Sequence, residues 1–249
     1  MKKSNPFGLA KKQHFHQKRI VDCFLDSNRF FEIKLANSPD IKKYGPKNTA
    51  FLSSNLWDEL TEKEGFSHKI EKKMNGIVED ALDGRTDYLN RDHLALTRYS
   101  CLWRARHYIH KYNFINTVNK IGSKQEDFFI QTYSEKLEKN LYRNFYSASS
   151  RLRSIRGMYL MIIFNILYEK NKSLEWTLYS SNKAEFLSSD CYHKHPMIPV
   201  SEKLIFVGNL KSGCIDRQLI SSEVRDLNKL TLNDHYDFYF SKKISNCPI

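Results

Sequence analysis

The sequence predicts a helix-dominated α+β fold in a single domain, with a β-hairpin near the N-terminus and a small antiparallel sheet near the C-terminus. Three observations lead there. Nine Gly and six Pro are few for a loop-rich all-β chain of 249 residues. Apolar residues recur at helical spacing through the middle of the chain. Short β-prone runs stand on either side of that middle. By texture the chain divides into a hairpin and loop (1–50), a helical middle (51–172) and a small sheet with a helical tail (173–249).

In the first part, Ile20 to Leu25 and Arg29 to Leu35 read as paired strands joined at Asp26-Ser27-Asn28. Pro39, Gly45 and Pro46 mark 37–50 as a loop. Leu56, Leu60, Ile70, Met74, Ile77 and Ala81 give a helical pattern over 55–82, interrupted near Gly65 and stopped at Gly84. A long helix starts near Asn90 or Asp92, with Leu102, Ala105, Ile109 and Tyr112 on one stripe and Arg104, His107 and Lys111 on another. Ser123-Lys124-Gln125-Glu126 is a capping box that predicts a third helix to about Leu141. A fourth spans 149–169, apolar all round after Gly157, and so is expected at the centre of the fold. Leu174 to Tyr179 and Ala184 to Leu187 read as a second hairpin turning at Asn182. Lys203 to Val207 is a further strand ended by Gly208, and 219–239 reads as one or two short helices.

Hydrophobic residues at 41% with 13% aromatics argue against disorder. The most apolar segment, Met158 to Tyr168, is too short for a membrane span, which needs roughly 20 residues. No apolar stretch of signal-peptide length follows Met1, and Cys23, Cys101, Cys191, Cys214 and Cys247 are odd in number with no C-x-x-C pair. The expectation is a reducing, cytoplasmic protein without membrane contact. Phosphate-binding glycine loops, the G-x-S-x-G elbow and H-E-x-x-H do not occur, which disfavours nucleotide-driven work, dinucleotide redox chemistry and the common hydrolases.

The net charge of +12 is segregated. Residues 1–21, 93–125 and 139–168 contain no Asp or Glu, while acids gather at 58–92 and 216–237. Tyr99, Trp103, Tyr108 and Tyr112 are interleaved with the cations of the central block. Cations among aromatics suit phosphate backbones and stacked bases, so Arg98, Arg106, Lys111, Arg151, Arg153 and Arg156 are the candidate nucleic-acid contacts. The plainer reading is a solvated, charged helix face. A basic face docking an acidic protein partner is a third.

Several short motifs together resemble an uncharacterised bacterial family known as domain of unknown function 4238. Gln13-His14-Phe15-His16-Gln17 through Phe24 resembles its opening HHxVPxxYLxxF, with Gln17 where the family has proline. Ile70-Glu71 or Ile77-Val78-Glu79 matches a helical glutamate, and Arg104 a helical arginine. Trp176, Phe186 to Asp190 and Pro199 to Leu204 resemble W…FITSDNPV…PLSPxxxL, although His193-Lys194-His195-Pro196 departs from Asn-Pro-Val after the aspartate. Leu227-Asn228 and Phe238 to Lys242 resemble its closing segment. The resemblance implies a fold and a set of polar positions; it brings no activity.

Those positions, His14, Glu79 (or Glu71), Arg104, Ser189 and Asp190, would suit phosphodiester or glycosidic chemistry if they converge. His14 is the candidate base or metal ligand, Glu79 and Asp190 are candidate metal ligands or base, and Arg104 is the candidate phosphate clamp. A divalent metal is one option for the carboxylates. On the plainer reading Ser189-Asp190 caps a turn, His14 packs on the hairpin and Arg104 pairs with Glu79. Cys191-x-His193-x-His195 offers zinc ligands, but alternating residues of one short strand seldom meet at one ion, and a surface loop is preferred. Arg104 and His110, with five residues between, resemble an element of helical ribonucleases, a pattern this short and this basic chain produces by chance. The leading expectation is a nuclease-like effector of bacterial or phage defence; its rival is a non-catalytic nucleic-acid-binding or adaptor protein.

Overall fold

The computed structural model describes residues 12–45, 49–54, 56–62, 66–87, 90–111, 136, 137, 139, 140, 148–210 and 215–249. In chain order these form β1 (Lys12–His14), α1 (Lys18–Asp22), β2 (Phe31–Leu35), β3 (Ile41–Tyr44), β4 (Leu52–Ser54), α2 (Glu59–Glu62), α3 (Phe66–Leu82) and α4 (His93–Lys111). There follow α5 (Ala148–Asn171), β5 (Glu175–Ser180), β6 (Ser188–Ser189), β7 (Met197–Ser201), β8 (Leu204–Asn209), β9 (Arg217–Gln218), α6 (Ser221–Asp234) and β10 (Phe238–Ser241). The class is α+β. The strands make three small sheets, β1-β4, β3-β2-β10-β6 and β7-β8-β5-β9. Among the described residues no helix is long and apolar enough to cross a membrane.

The central helices follow the sequence pattern closely. α3 ends at Gly84, whose φ of 71° is the left-handed stop that only glycine adopts without strain. α4 opens under Asp92, which accepts the Ala95 N–H at 2.8 Å, and buries Leu102, Ala105 and Ile109. It also buries Tyr99, Cys101, Trp103, Arg106 and His107, so α4, packed between α3 and α5, is the central helix.

α5 is not. It buries Leu160 and Phe164 but leaves Met158, Ile162 and Ile166 at 43%, 51% and 52% exposure. An apolar composition fixed its helicity, not its place. The helix predicted from Ser123 lies almost wholly outside the described residues.

The strand assignments need more correction. Ile20 to Leu25 is helical, forming α1 and the turn after it: the buried residues are Ile20, Val21 and Phe24, a helical spacing that alternation would not produce. The N-terminal hairpin is β2–β3, with Ile33 opposite Lys42. β3 falls in the expected loop because its Ile41, Lys42 and Lys43 are exposed, a lysine-bearing edge strand with no apolar alternation. β5 pairs with β8, not with Ala184 to Leu187, and the last part of the predicted helical tail is β10, where Phe238 and Phe240 alternate inward. Phe240 sits opposite Ile33 and 5.1 Å from the Phe51 ring.

His16 is fully buried beside Trp103, at 4.3 Å between ring centroids, and near Phe51 and Phe240. Burial pushes its pKa down to about 3, so the ring is carried neutral.

Gly157 marks the place where α5 crosses α2. A methyl group there would clash with Thr61 Oγ1 and stand 2.9 Å from Asp58 Oδ1. These two atoms form the cap of α2: Asp58 Oδ1 accepts from Thr61 N at 2.9 Å and from Thr61 Oγ1 at 2.5 Å. Gly157→Ala is therefore expected to destabilise by about 1–3 kcal/mol, despite alanine's better helix propensity. Urea unfolding checks this; a gain in stability would contradict the close crossing.

Candidate functional site

β1 pairs with β4, and Gln13 fixes the segment by donating to Trp57 O at 2.7 Å and accepting from Leu56 N at 2.7 Å and Trp57 N at 3.1 Å. Gln17 donates to Asn75 Oδ1 at 2.7 Å and to Glu71 O at 3.1 Å. These bonds hold His14 against α3. The result is a cavity of about 450 Å³ lined by His14, Glu62 and Glu71, with exposed Lys18, Arg19, His68 and Lys72 around it.

Arg106 organises this cavity from beneath, its side chain 2% exposed. It donates to Glu71 Oε1 at 2.6 Å and Glu62 Oε2 at 3.3 Å, with its guanidinium 5.6 Å from the Trp57 ring centre. Trp57 Nε1 also donates to Glu62 Oε2, at 2.5 Å. Desolvation holds the His14 pKa below the ordinary imidazole value, against the upward pull of Glu71. Its Nδ1 is enclosed without a hydrogen-bond partner among the described residues.

A second polar centre surrounds Asp190, which is fully buried. Its Oδ1 accepts from Tyr236 N at 2.9 Å, Cys191 N at 3.0 Å and Ser189 Oγ at 3.1 Å; its Oδ2 accepts from Asp237 N at 2.7 Å and lies 3.4 Å from His107 Nε2. Burial alone would raise the pKa of this carboxyl, but the His107 contact and the backbone donors outweigh it and hold it low. Trp103 Nε1 donates to Asp190 O at 3.0 Å, and Arg104 Nη2 to His193 O at 2.8 Å.

The four-residue constellation expected from the sequence thus divides. His14 lines the cavity; Glu79, Arg104 and Asp190 do not. Glu79 is exposed on α3, two turns beyond Glu71, and Glu71 is the helical glutamate that faces His14. Arg104 and Asp190 belong to the second centre, where Asp190 has no open oxygen for a substrate. The plainer reading of Ser189-Asp190 as a turn cap fits its bonds.

The basic face is also broken up. Arg106 and Arg153 are buried, at 1% and 9% exposure, and cannot reach a phosphate backbone. Lys111 pairs with Asp237 and lies over the Tyr236 ring, and Arg156 is half-buried. Arg98 is exposed, 5.6 Å from the Tyr168 ring centre; the Arg151 side chain lies outside the described residues. An acid-free stretch of sequence did not imply an acid-free surface, because the partners of its cations come from elsewhere in the chain.

Cys191 and His193 also depart from expectation. Cys191 is buried, not on a surface loop, and His193 approaches His107 of α4, while the His195 ring turns to Asp234 at 3.3 Å. His110 likewise has local work: it bonds Ser53 and stacks on Phe15 at 4.8 Å.

Fold and sites together define an α+β protein with two separate polar centres, one open and one buried. Scans against family models, curated proteins and solved structures find no match to the chain.

Proposed function

We propose that the protein acts on nucleic acid as a phosphodiesterase, with the His14 cavity as its active site. The observation that carries this is a desolvated histidine beside a carboxylate, in an open cavity with Lys18, Arg19 and Lys72 around it. Those cations suit an anionic substrate, and Arg106 offsets the charge of Glu62 and Glu71 so that the carboxylates do not repel it.

In this reading His14, acting through Nε2, takes a proton from the attacking water as the water oxygen bonds to phosphorus and the P–O bond to the leaving group breaks. Glu71 stabilises the imidazolium that forms. The leaving oxygen takes a proton from solvent or from His68. Glu62 and Glu71 are also the oxygen donors that a divalent metal would use, so the assay includes magnesium and manganese.

Single- and double-stranded DNA and RNA are the substrates to test, each with and without metal. Cleavage is expected, with His14→Ala reducing kcat by at least about 100-fold. No cleavage of any of these would remove the enzymatic reading and leave salt-dependent binding as its rival.

The pH profile is a separate check. A base must be neutral, and desolvation lowers the His14 pKa, so the acidic limb should lie below about pH 6.5. Glu71 opposes that shift, so Glu71→Gln should move the limb further toward acid. A limb above pH 7 in the wild-type protein would exclude His14 as the base.

A further inference from the structure

We infer that His107, Cys191 and His193 form a site for a zinc-class divalent transition metal, bound by two imidazole nitrogens and one thiolate. Each residue offers a ligand atom, and the three atoms lie within 4.8 Å of one another. The two ring nitrogens, His107 Nδ1 and His193 Nε2, are 3.2 Å apart. A tetrahedral zinc with Zn–N bonds of about 2.0–2.1 Å holds two such nitrogens about 3.3 Å apart. The ring pair therefore already stands at ligand separation, and the thiolate closes the remaining gap.

The surroundings are those of a metal centre. His107 turns its other nitrogen, Nε2, toward Asp190 Oδ2 at 3.4 Å, the carboxylate–imidazole arrangement that orients a metal-bound histidine. The Asp190–His195 loop is fixed at both ends. Asp190 is anchored as described, and Asp234 accepts the N–H groups of His193, Lys194 and His195 at 2.9–3.0 Å. Arg104 holds the His193 carbonyl. Such a loop holds its backbone in place, so that a shift of the Cys191 side chain is enough to bring the thiolate to the ion.

Charge is also in order. Arg104 contributes one positive charge nearby, against the negative charges of Asp190, Asp234 and a Cys191 thiolate. Burial and Asp190 keep the Cys191 thiol protonated on its own, and metal binding would displace that proton to solvent. His193 is half-buried where His107 and Cys191 are enclosed, so the ion enters on its side. Three protein ligands leave a fourth position for water. This site is distinct from the His14 cavity and does not rest on the phosphodiesterase reading.

The test uses the untagged full chain, stripped with a chelator and titrated with cobalt(II), then with zinc. One equivalent should bind, giving thiolate-to-cobalt charge transfer in the near ultraviolet and the d–d bands of a four-coordinate ion. Cys191→Ser should lose the charge-transfer band, His193→Gln should weaken binding by at least about tenfold, and His195→Gln should change neither. No charge-transfer band in the wild-type chain, or one that persists in Cys191→Ser, would overturn the site. If Cys191→Ser does not fold, His193→Gln decides, and unchanged cobalt affinity there refutes the assignment.

Discussion

Asp190→Ala is expected to lose about 3–6 kcal/mol of folding stability, enough to leave much of the chain unfolded. The fully buried side chain accepts three backbone N–H groups, from Cys191, Tyr236 and Asp237, of which only Cys191 N has a second acceptor among the described residues, Ser189 Oγ. Each buried donor left without a partner costs about 1–3 kcal/mol. Asp190→Asn keeps one acceptor oxygen but turns an NH2 toward one of those donors, so it should fall between the two. Urea unfolding followed by circular dichroism measures all three, and a loss below about 1 kcal/mol for the alanine variant would contradict the hub. The carboxyl pKa is depressed in the folded state, so its contribution is present above the unfolded value near 3.8 and is lost as pH falls through the folded one. The gap between wild type and variant should therefore persist at neutral pH and narrow only in strong acid.

Arg106→Met is expected to cost about 3 kcal/mol and to impair substrate binding at the same time. Removing one member of a buried ion pair leaves the other charge uncompensated, at about 3–5 kcal/mol. The lower figure applies because Glu62 and Glu71 keep 18% and 22% exposure and recover some hydration. Without the guanidinium, the two carboxylates repel each other and the cavity becomes more negative, which disfavours a phosphate. Adding Glu71→Gln to Arg106→Met removes one of the stranded charges and should restore part of the stability. Additive losses in the double variant would mean that Arg106 supports the fold by packing on Trp57 alone.

The longer helices were legible because their signals are local, whereas the five-residue α1 read as a strand. Asp92 as a cap, Gly84 as a stop and the Leu102-Ala105-Ile109 stripe all act within a few residues. The strands were less so. β10 finds its partners in β2 and β6, far away in sequence, and β3 has no buried face to betray it. At the sites, motif likeness drew attention to His14, Arg104 and Asp190 without showing their grouping: His14 lines the open cavity, while Arg104 and Asp190 stand at the buried centre. Arg106 looked like a surface cation because Glu71 and Glu62 lie 35 and 44 residues before it. His107 was visible as a polar residue beside Arg104 and Lys111. Its pairing with His193, 86 residues on, had no local trace.

Arg106 and His107 are consecutive residues of α4, and consecutive helical side chains diverge by about 100°. One grips the acidic pair beneath the open cavity, and the other faces the enclosed aspartate and its neighbouring imidazole. The rod is thus pinned from two directions at a single peptide unit. It cannot roll to improve its grip on one side without loosening the other, so the two centres keep a common alignment.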